Sequence, residues 1–300
     1  MRNFDTVIFQ VNMDRRLFLS TAGITLATAG RLPAAATPAG PPGLIDTNVH
    51  LSHWTTRHTW VTSPEVLSDR LKRHGVTSAW VGSFEGVMHS DLAGANARLT
   101  RACAASGGLL RAFGTVNPTF PDWEDDLRRC HEEHRMPGIR LYPSYHGYQL
   151  DDPRFLQLLE VAHRRRQLVQ IVVTIEDDRS QNPALTAAPV QAAPLADALE
   201  KVPGVRVMLL NATTRVLGSA IPLVQRLTKA GALFEIATLE GVAGIEGLLQ
   251  KIPDIRLCFG SHTPYFYFEA ALLKLEESAL TPAQLAAVRY GHASSALPAA

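Results

Sequence analysis

Two histidines stand where their side chains could do chemistry. His50 lies near the end of an apolar run that opens the folded part of the chain, and His262 follows a Gly-Ser pair at the end of another. Imidazole titrates near neutral pH and is a frequent metal ligand, so each ring could act as a general base or bind a metal ion. We therefore predict His50 and His262 as the catalytic residues.

Three interpretations of these histidines stay open. In the first, His50 and His262 bind one divalent ion, zinc or manganese, with His146 or Glu176 as a further ligand, because a catalytic zinc needs three protein ligands and a water. In the second, no metal is needed and His262 is the general base. In the third, the protein binds a ligand without catalysis.

Further polar residues are predicted to bind the substrate. Arginine pairs with carboxylates through two parallel N–H bonds, so a substrate carboxylate is expected to lie against an arginine. The arginine candidates are Arg140, Arg179 and Arg215, and the other candidates are Tyr142, His146 and Asn211.

Eight short apolar runs must position these side chains. Successive runs begin 23 to 37 residues apart, which leaves room for a helix in every gap. Continuous apolar runs at this spacing are typical of parallel strands covered by crossover helices. The runs are Leu44–Leu51, Thr77–Ser83, Leu109–Asn117, Gly138–Tyr142, Leu168–Thr174, Val205–Leu210, Ala232–Ala237 and Ile255–Ser261.

This pattern predicts an α/β fold, a single (β/α)8 TIM barrel over residues 44–300, with an open doubly wound sheet as the alternative. The intervening segments carry helix signals, such as Ser63-Pro64-Glu65 and Asp152-Pro153 at helix starts. Thr281–Leu297 is predicted to be a last helix packed on the barrel. Barrel active sites lie at the carboxyl ends of the strands, so the two histidines are expected to face one solvent-filled mouth.

Three segments resemble the amidohydrolase-related (amidohydrolase 2) family of metal-dependent TIM-barrel hydrolases. They are Ile45-Asp46-Thr47-Asn48-Val49-His50, the stretch Gly138–Tyr148, and Phe259-Gly260-Ser261-His262-Thr263-Pro264. The resemblance implies a barrel with His-x-His on strand 1, a metal-binding histidine after each of strands 5 and 6, and an aspartate after strand 8.

The sequence departs from that pattern at most of its ligand positions. Asn48 stands where the first histidine belongs, Thr174 and Asn211 replace the two later ones, and His262 replaces the aspartate. Asparagine is a poor zinc ligand, so a two-metal site of the family type is not expected. We predict a hydrolase with a degenerate metal site that acts on a small polar substrate, such as a carboxylated compound or a lactone. A decarboxylase of the same superfamily and a silent ligand-binding barrel are the alternatives.

Composition excludes several other classes. The 29 Lys and Arg against 28 Asp and Glu give a net charge of +1, which provides no field for nucleic acid. The three cysteines are too few and too widely spaced for a disulfide framework or a zinc ribbon. Neither a G-x-G-x-x-G nor a P-loop motif follows a strand. The expected partner is a small molecule, and the sequence leaves both a monomer and a homo-oligomer open.

The first 36 residues have the features of an export signal. Arg15-Arg16 precedes an uncharged, mildly apolar stretch, and Ala34-Ala35-Ala36 supplies small residues for a signal peptidase. The paired arginines indicate the twin-arginine type. We predict a signal peptide over residues 1–36, a proline-containing linker over 37–43, and a periplasmic mature protein that makes no membrane contact once the signal is removed.

Overall fold

The apolar runs of the sequence form eight parallel strands. A computed structural model describes residues 43–61, 63–177, 179–212, 216 and 219–297. The predicted signal peptide, and all of the linker except Gly43, lie outside the described residues. The strands are β1 Leu44–Leu51, β2 Val76–Ser83, β3 Leu110–Ala112, β4 Gly138–Leu141, β5 Leu168–Val172, β6 Val207–Leu210, β7 Leu233–Glu235 and β8 Arg256–Cys258.

The strands pair in chain order in two parallel sheets. One sheet has the order β1-β2-β3 and the other β4-β5-β6-β7-β8. Between the sheets, a single bridge pairs Gly114 with Ile139 and another pairs Val49 with Thr263. The predicted α/β fold is confirmed, and this arrangement is consistent with a TIM barrel.

Helices fill the gaps between the strands, as the spacing predicts. They are α1 Pro64–Arg73, α2 Glu85–Met88, α3 Leu92–Ala104, α4 Trp123–Glu132, α5 Pro143–His146, α6 Pro153–Arg164, α7 Ala193–Lys201, α8 Ile221–Lys229, α9 Gly244–Lys251, α10 Phe268–Glu276, α11 Pro282–Ala286, a π-helical turn Ala287–Gly291 and α12 His292–Ala296.

The predicted helix starts are present in the structure. The Ser63 hydroxyl accepts a hydrogen bond from the backbone N–H of Val66, and the Asp152 carboxylate accepts one from the N–H of Arg154. Each bond satisfies a backbone donor that the first helical turn leaves unpaired. A proline follows each cap at the first helical position, where its missing N–H costs nothing.

The last helical segment is interrupted rather than continuous. The predicted helix Thr281–Leu297 begins with a capping box between Thr281 and Gln284. It then passes through the π-helical turn into α12, whose Ala293 and Ala296 join an inner apolar cluster with strand residues that include Met208 and Leu233. Helix α12 therefore packs against residues of the strands themselves.

Within residues 43–297 and outside the gaps given above, no helix is long and apolar enough to cross a bilayer.

Candidate active site

The floor of the site is a chain of buried amides. The Asn48 Nδ2 atom donates to the Asn211 Oδ1 atom at 2.7 Å, and the Asn211 Nδ2 atom donates to the backbone oxygen of Thr174 at 2.7 Å. Asn48 lies on β1, whereas Thr174 and Asn211 follow β5 and β6. The strand-end positions predicted from sequence therefore meet in space.

His262 lies against these amides as a neutral imidazole. Its ring Nε2 atom is 2.9 Å from the backbone oxygen of Ile175, which can only accept a hydrogen bond. The proton of the neutral ring therefore belongs on Nε2, and Nδ1 carries a lone pair. Burial of the fully enclosed ring lowers the pKa of His262 to about 4, with a smaller effect from the Arg140 charge.

His50 stands beside His262. The two ring centroids are 5.2 Å apart with an edge-on geometry, and the His50 ring stacks on Phe84 with centroids 4.5 Å apart. Burial, the Arg140 guanidinium and His262 together hold the pKa of His50 well below its usual value. Both histidines are therefore neutral at pH 7.

Arg140 crosses the interior next to His50 and is fully buried. Its Nη1 atom lies 2.8 Å from the backbone oxygen of Val49 and 3.2 Å from the His50 Nε2 atom, and its Nε atom donates to the Gln170 Oε1 atom at 2.8 Å. Its Nη2 atom donates to two more backbone oxygens, those of Thr47 and Trp80. These contacts occupy its donors, so the prediction that Arg140 binds a substrate carboxylate is not supported.

Two buried acids, which the sequence reasoning did not assign to the site, fix its backbone. The Asp46 carboxylate accepts from the N–H and the hydroxyl of Ser261, and from the N–H of Asn48. The Glu235 carboxylate accepts from the backbone N–H groups of Asn211 and Ala237 at 2.5 and 2.6 Å. Burial raises the pKa of Asp46 to about 7 and also raises that of Glu235.

An isolated acid inside an otherwise apolar strand is a signal that could have found these residues. Glu235 sits between Phe234 and Ile236, and a carboxylate is rarely buried there unless it is hydrogen-bonded.

The backbone turns sharply at two site residues. Asn211 and His262 adopt φ values of 52° and 56°, in the left-handed region that non-glycine residues seldom occupy. Such conformations persist only where surrounding contacts enforce them, and they concentrate at functional sites. The Glu235 carboxylate supplies one such contact through the Asn211 N–H.

Three loops close over the histidines. The Tyr265 hydroxyl donates to the Glu176 carboxylate, and the Arg57 guanidinium lies 4.8 Å above the Tyr265 ring, with its Nε atom 3.7 Å from Glu176. Tyr265 in turn packs on the His262 ring, with centroids 5.1 Å apart. We refer to Arg57, Glu176 and Tyr265 as the rim cluster. His50 and His262 have no exposed surface, so the expectation that they face a solvent-filled mouth is wrong.

Of the other predicted site residues, only Tyr142 lies near this group within the described structure, with its hydroxyl close to the Arg140 guanidinium. The His146 Nε2 atom is bonded to the backbone oxygen of Gly86 at 2.9 Å, and the ring packs against Tyr142, whose hydroxyl is buried. The side chain of Arg179 is 79% exposed and pairs with Asp177. Arg215 lies outside the described residues.

A cavity of about 160 Å³ lies beside the site, not over it. It is bounded by the end of β1, the start of α1 and the buried side of α3, and Leu51, Ser52, Glu85 and Arg98 line it. Neither His50 nor His262 lines it. The polar side chains converge at the strand ends instead, which makes that end of the strands the candidate site.

The described side chains do not fit a divalent metal ion. Among them, no three His, Cys, Asp or Glu groups are placed to hold one, so His50, His146, Glu176 and His262 do not form the ligand set that the metal interpretation requires. The amides of Asn48 and Asn211 are bonded to each other, and a guanidinium already lies against the His50 Nε2 atom. We therefore derive no step through a metal.

The chain matches known proteins in sequence pattern and in fold. A family model described as "Amidohydrolase" matches residues 62–291. No curated protein sequence matches the chain.

Several solved structures share the fold at low sequence identity. The dihydroxybenzoic acid decarboxylase of Polaromonas sp. JS666, solved with manganese and 2-nitroresorcinol, is 12% identical with a TM-score of 0.66, and the match covers 85% of this chain and 96% of that one. The 5-carboxyvanillate decarboxylase of Sphingomonas paucimobilis is 13% identical with a TM-score of 0.66, over 85% and 98%. A probable 2-pyrone-4,6-dicarboxylic acid hydrolase of Acinetobacter baumannii is 14% identical with a TM-score of 0.56, over 85% and 98%.

Proposed function

The chain belongs to the amidohydrolase family, and on this premise we propose that it hydrolyses a small lactone or ester, with His262 as the general base. The observation that carries the proposal is the state of His262, a neutral ring with Nε2–H bonded to the Ile175 oxygen and with its Nδ1 lone pair unprotonated. At pH 7 the Nδ1 atom of His262 can accept a proton at once, because the ring does not first have to release a proton to solvent.

The proposed step needs only groups of this chain and water. The His262 Nδ1 atom takes a proton from a water molecule as the water oxygen bonds to the acyl carbon of the substrate. The protonated ring then gives that proton to the alkoxide oxygen as the acyl C–O bond breaks, which yields a carboxylic acid and an alcohol. His50, 5.2 Å from His262, is placed to contact the oxyanion that forms in between.

The same state of His262 argues against decarboxylation, the second candidate. We consider this reaction because two of the structurally similar proteins above are decarboxylases. Loss of carbon dioxide requires a proton to be added to the carbon left behind. Because burial holds the pKa of His262 near 4, the ring has no acidic imidazolium proton to give at pH 7.

The substrate we propose does not depend on an arginine for recognition. The donors of Arg140 are taken by backbone oxygens, Gln170 and His50, and Arg179 pairs with Asp177 at the surface. A lactone or ester, whose carbonyl needs no cationic partner for recognition, fits the described residues better than a carboxylate held by an arginine.

The remaining parts of the proposal concern architecture and location. We propose that the two sheets close into one (β/α)8 barrel, supported by the bridges Gly114–Ile139 and Val49–Thr263. Export to the periplasm through a twin-arginine signal, with a small molecule as the partner, stays a prediction from sequence.

A substrate panel tests the reaction. Purified protein is assayed for acid release from small lactones and p-nitrophenyl esters, and for carbon dioxide release from hydroxybenzoates, each with and without a chelator. We expect acid release that the chelator does not abolish. His262→Gln should lower kcat by at least about 10²-fold, the low end for a general base. His163→Gln is the matched control, because His163 is an exposed residue of α6.

Two outcomes would contradict the proposal. Carbon dioxide release without acid release would identify a decarboxylase. Binding of panel compounds with no turnover of any of them would favour a silent ligand-binding protein.

A further inference from the structure

We propose that Arg140 is a positioning residue that fixes the proton of His50 on Nδ1, so that this N–H points at the reacting carbonyl. The tautomer follows from the contacts of the guanidinium alone. Only the use of the N–H as an oxyanion donor rests on the proposed function.

The tautomer of His50 follows from the hydrogen bonds that Arg140 donates. A guanidinium has five N–H donors and no acceptor. Five acceptors lie 2.8 to 3.3 Å from its nitrogens: the Gln170 Oε1 atom, the His50 Nε2 atom, and the backbone oxygens of Val49, Thr47 and Trp80. The Tyr142 hydroxyl also lies close to the guanidinium. Because Arg140 can only donate, the His50 Nε2 atom must accept, and the proton of the neutral ring is left on Nδ1.

The Nδ1 atom of His50 has no partner within the described structure. It is fully buried and makes no hydrogen bond there. A buried donor without an acceptor is costly, so such a group in a folded protein indicates a ligand or water that it is meant to bind. The Nδ1–H of a neutral ring suits an oxygen on which negative charge develops.

The surrounding residues hold this geometry rigidly. The His50 ring stacks nearly parallel to the Phe84 ring, with an angle of 6° between the planes, which fixes the plane of the imidazole. Gly82 provides the space for the guanidinium, because a Cβ atom there would lie 2.8 Å from both the Cδ and Nη1 atoms of Arg140. An alanine at position 82 would therefore displace the guanidinium without removing its charge.

The charge of Arg140 has a second effect on His50. No described carboxylate lies within 4 Å of the guanidinium, and backbone carbonyl dipoles surround it instead. This permanent positive charge opposes protonation of His50, so the ring stays neutral. It also polarises the ring toward Nε2, which makes Nδ1–H a stronger donor.

The tautomer can be measured without a substrate. We propose two-bond ¹H–¹⁵N correlation spectra of the full protein labelled with ¹⁵N-histidine, at pH 7, with the His50 signals identified by their loss in His50→Gln. The wild-type spectrum should show a protonated Nδ1 and an unprotonated Nε2. Arg140→Met, which removes the donors, and Gly82→Ala, which displaces them, should each convert His50 wholly or partly to the Nε2–H form. Arg129→Met is the control, since Arg129 pairs with Asp125 on the exposed side of α4.

Each result decides the proposal. A wild-type His50 protonated on Nε2 overturns it whatever the variants show. An unchanged Nδ1–H form in folded Arg140→Met or Gly82→Ala also overturns it. Arg140→Lys, which keeps the charge but loses the planar fork, replaces the methionine variant if that variant does not fold, and a mixture of tautomers is then expected. Because no turnover is measured, a failure of the hydrolase proposal leaves this result standing.

Discussion

The ring of His262 meets the ring of His50 edge-on at 5.2 Å, and neither ring has any exposed surface. Two imidazoles this close cannot both be charged without strong repulsion, and burial already disfavours either charged form. The pair therefore consists of two neutral rings, and in the tautomers that we propose His262 Nδ1 carries a lone pair and His50 Nδ1 carries a proton. The two histidines differ in their proposed roles because their neighbours differ. The Ile175 oxygen accepts a hydrogen bond from His262, whereas the Arg140 guanidinium donates one to His50.

The pH dependence of turnover should reflect the burial of His262. If His262 is the general base, as we propose, the unprotonated ring is the active form, so kcat/KM should be constant near neutral pH and fall as the pH drops through about 4, the pKa to which burial lowers this ring. An ordinary exposed histidine would give the fall near 6.5. Initial rates from pH 3.5 to 8, with a fold check at each pH, make the comparison. A fall centred near 6.5 would show that the ring is solvated in the active protein.

The free energy of unfolding should depend on pH through Asp46 and His262, whose effects have opposite signs. The pKa of Asp46 is raised by burial to about 7, so between about pH 4 and 7 the folded chain holds a proton that the unfolded chain has lost, and stability falls as the pH rises. The lowered pKa of His262 acts oppositely over nearly the same range.

Asp46→Asn separates these two contributions. It should remove a decrease of up to about 4 kcal/mol between pH 4 and 7, since one pKa unit is about 1.4 kcal/mol. The unfolding free energy of the variant should then rise with pH more steeply than that of the wild type in urea titrations at pH 4, 5, 6 and 7. Equal slopes in the two proteins would mean that Asp46 is ionised throughout this range. Circular dichroism at pH 6 is the control for folding.

The sequence predicted where the strands are, but not which way every side chain points. The bounds of β1 were predicted to the residue, and Asn48, Asn211 and His262 were expected at one end of the strands because parallel strands share that end. Arg140 was expected to face the substrate from β4. Its guanidinium instead lies among backbone oxygens of β1 and β2, a set of contacts that forms only when three strands pack and that no local pattern encodes.

Burial of the histidines was missed for a similar reason. The cover over His262 comes from Tyr265 and Phe266 on its own loop, and from Glu176 and Arg57, which are remote in sequence. Tyr265 and Phe266 belong to a run of four aromatic residues, Tyr265-Phe266-Tyr267-Phe268. Their contact with the imidazole depends on the left-handed turn at His262, which the sequence did not reveal.

Gly260 should not tolerate a side chain. A Cβ atom there would collide with the Glu235 carboxylate and lie 3.1 Å from the Cβ atom of Asn48, both in the buried floor of the site. We expect Gly260→Ala to lower the unfolding free energy by about 1–3 kcal/mol, as for overpacking in a rigid core.

Gly247→Ala is the matched control for that substitution. Gly247 lies inside α9, where a Cβ atom meets nothing within 4 Å. The change should be neutral or stabilise by up to about 1 kcal/mol, because alanine is the better helix former. Thermal melts and urea titrations of both variants provide the measurement. Equal stability of the two variants would mean that the floor is looser than the contacts indicate.

The rim cluster should control access to His262. Arg57→Gln removes the cation above Tyr265 and its ion pair with Glu176, so the loops should open more often. We expect His262 to react at least a few-fold faster with diethyl pyrocarbonate, followed by mass spectrometry of the modified peptide. Arg129→Gln breaks a comparable surface ion pair on α4 and should leave the rate unchanged. An unchanged rate in Arg57→Gln would show that the aromatic rings alone close the site.

Export can be tested independently of the fold. If residues 1–36 form a twin-arginine signal, N-terminal sequencing of protein from the cell envelope should begin near Thr37, and replacement of Arg15 and Arg16 by lysine should retain a precursor in the cell. Intact Met1 on protein found in the cytoplasm alone would contradict this prediction.

The packing of α12 affects from which end of the strands a small molecule can reach the candidate site. Ala293 and Ala296 belong to the same apolar cluster as Leu168 and Leu233, the first residues of strands β5 and β7, and the Arg206 guanidinium donates to the backbone oxygen of Ala296. In the proposed barrel, a small molecule would then reach the histidines past the rim cluster, at the carboxyl ends of the strands. In the proposed enzyme, substrate and product would then use the same opening. A product molecule still bound there would block entry of the next substrate, so product release would limit the turnover rate at high product concentration.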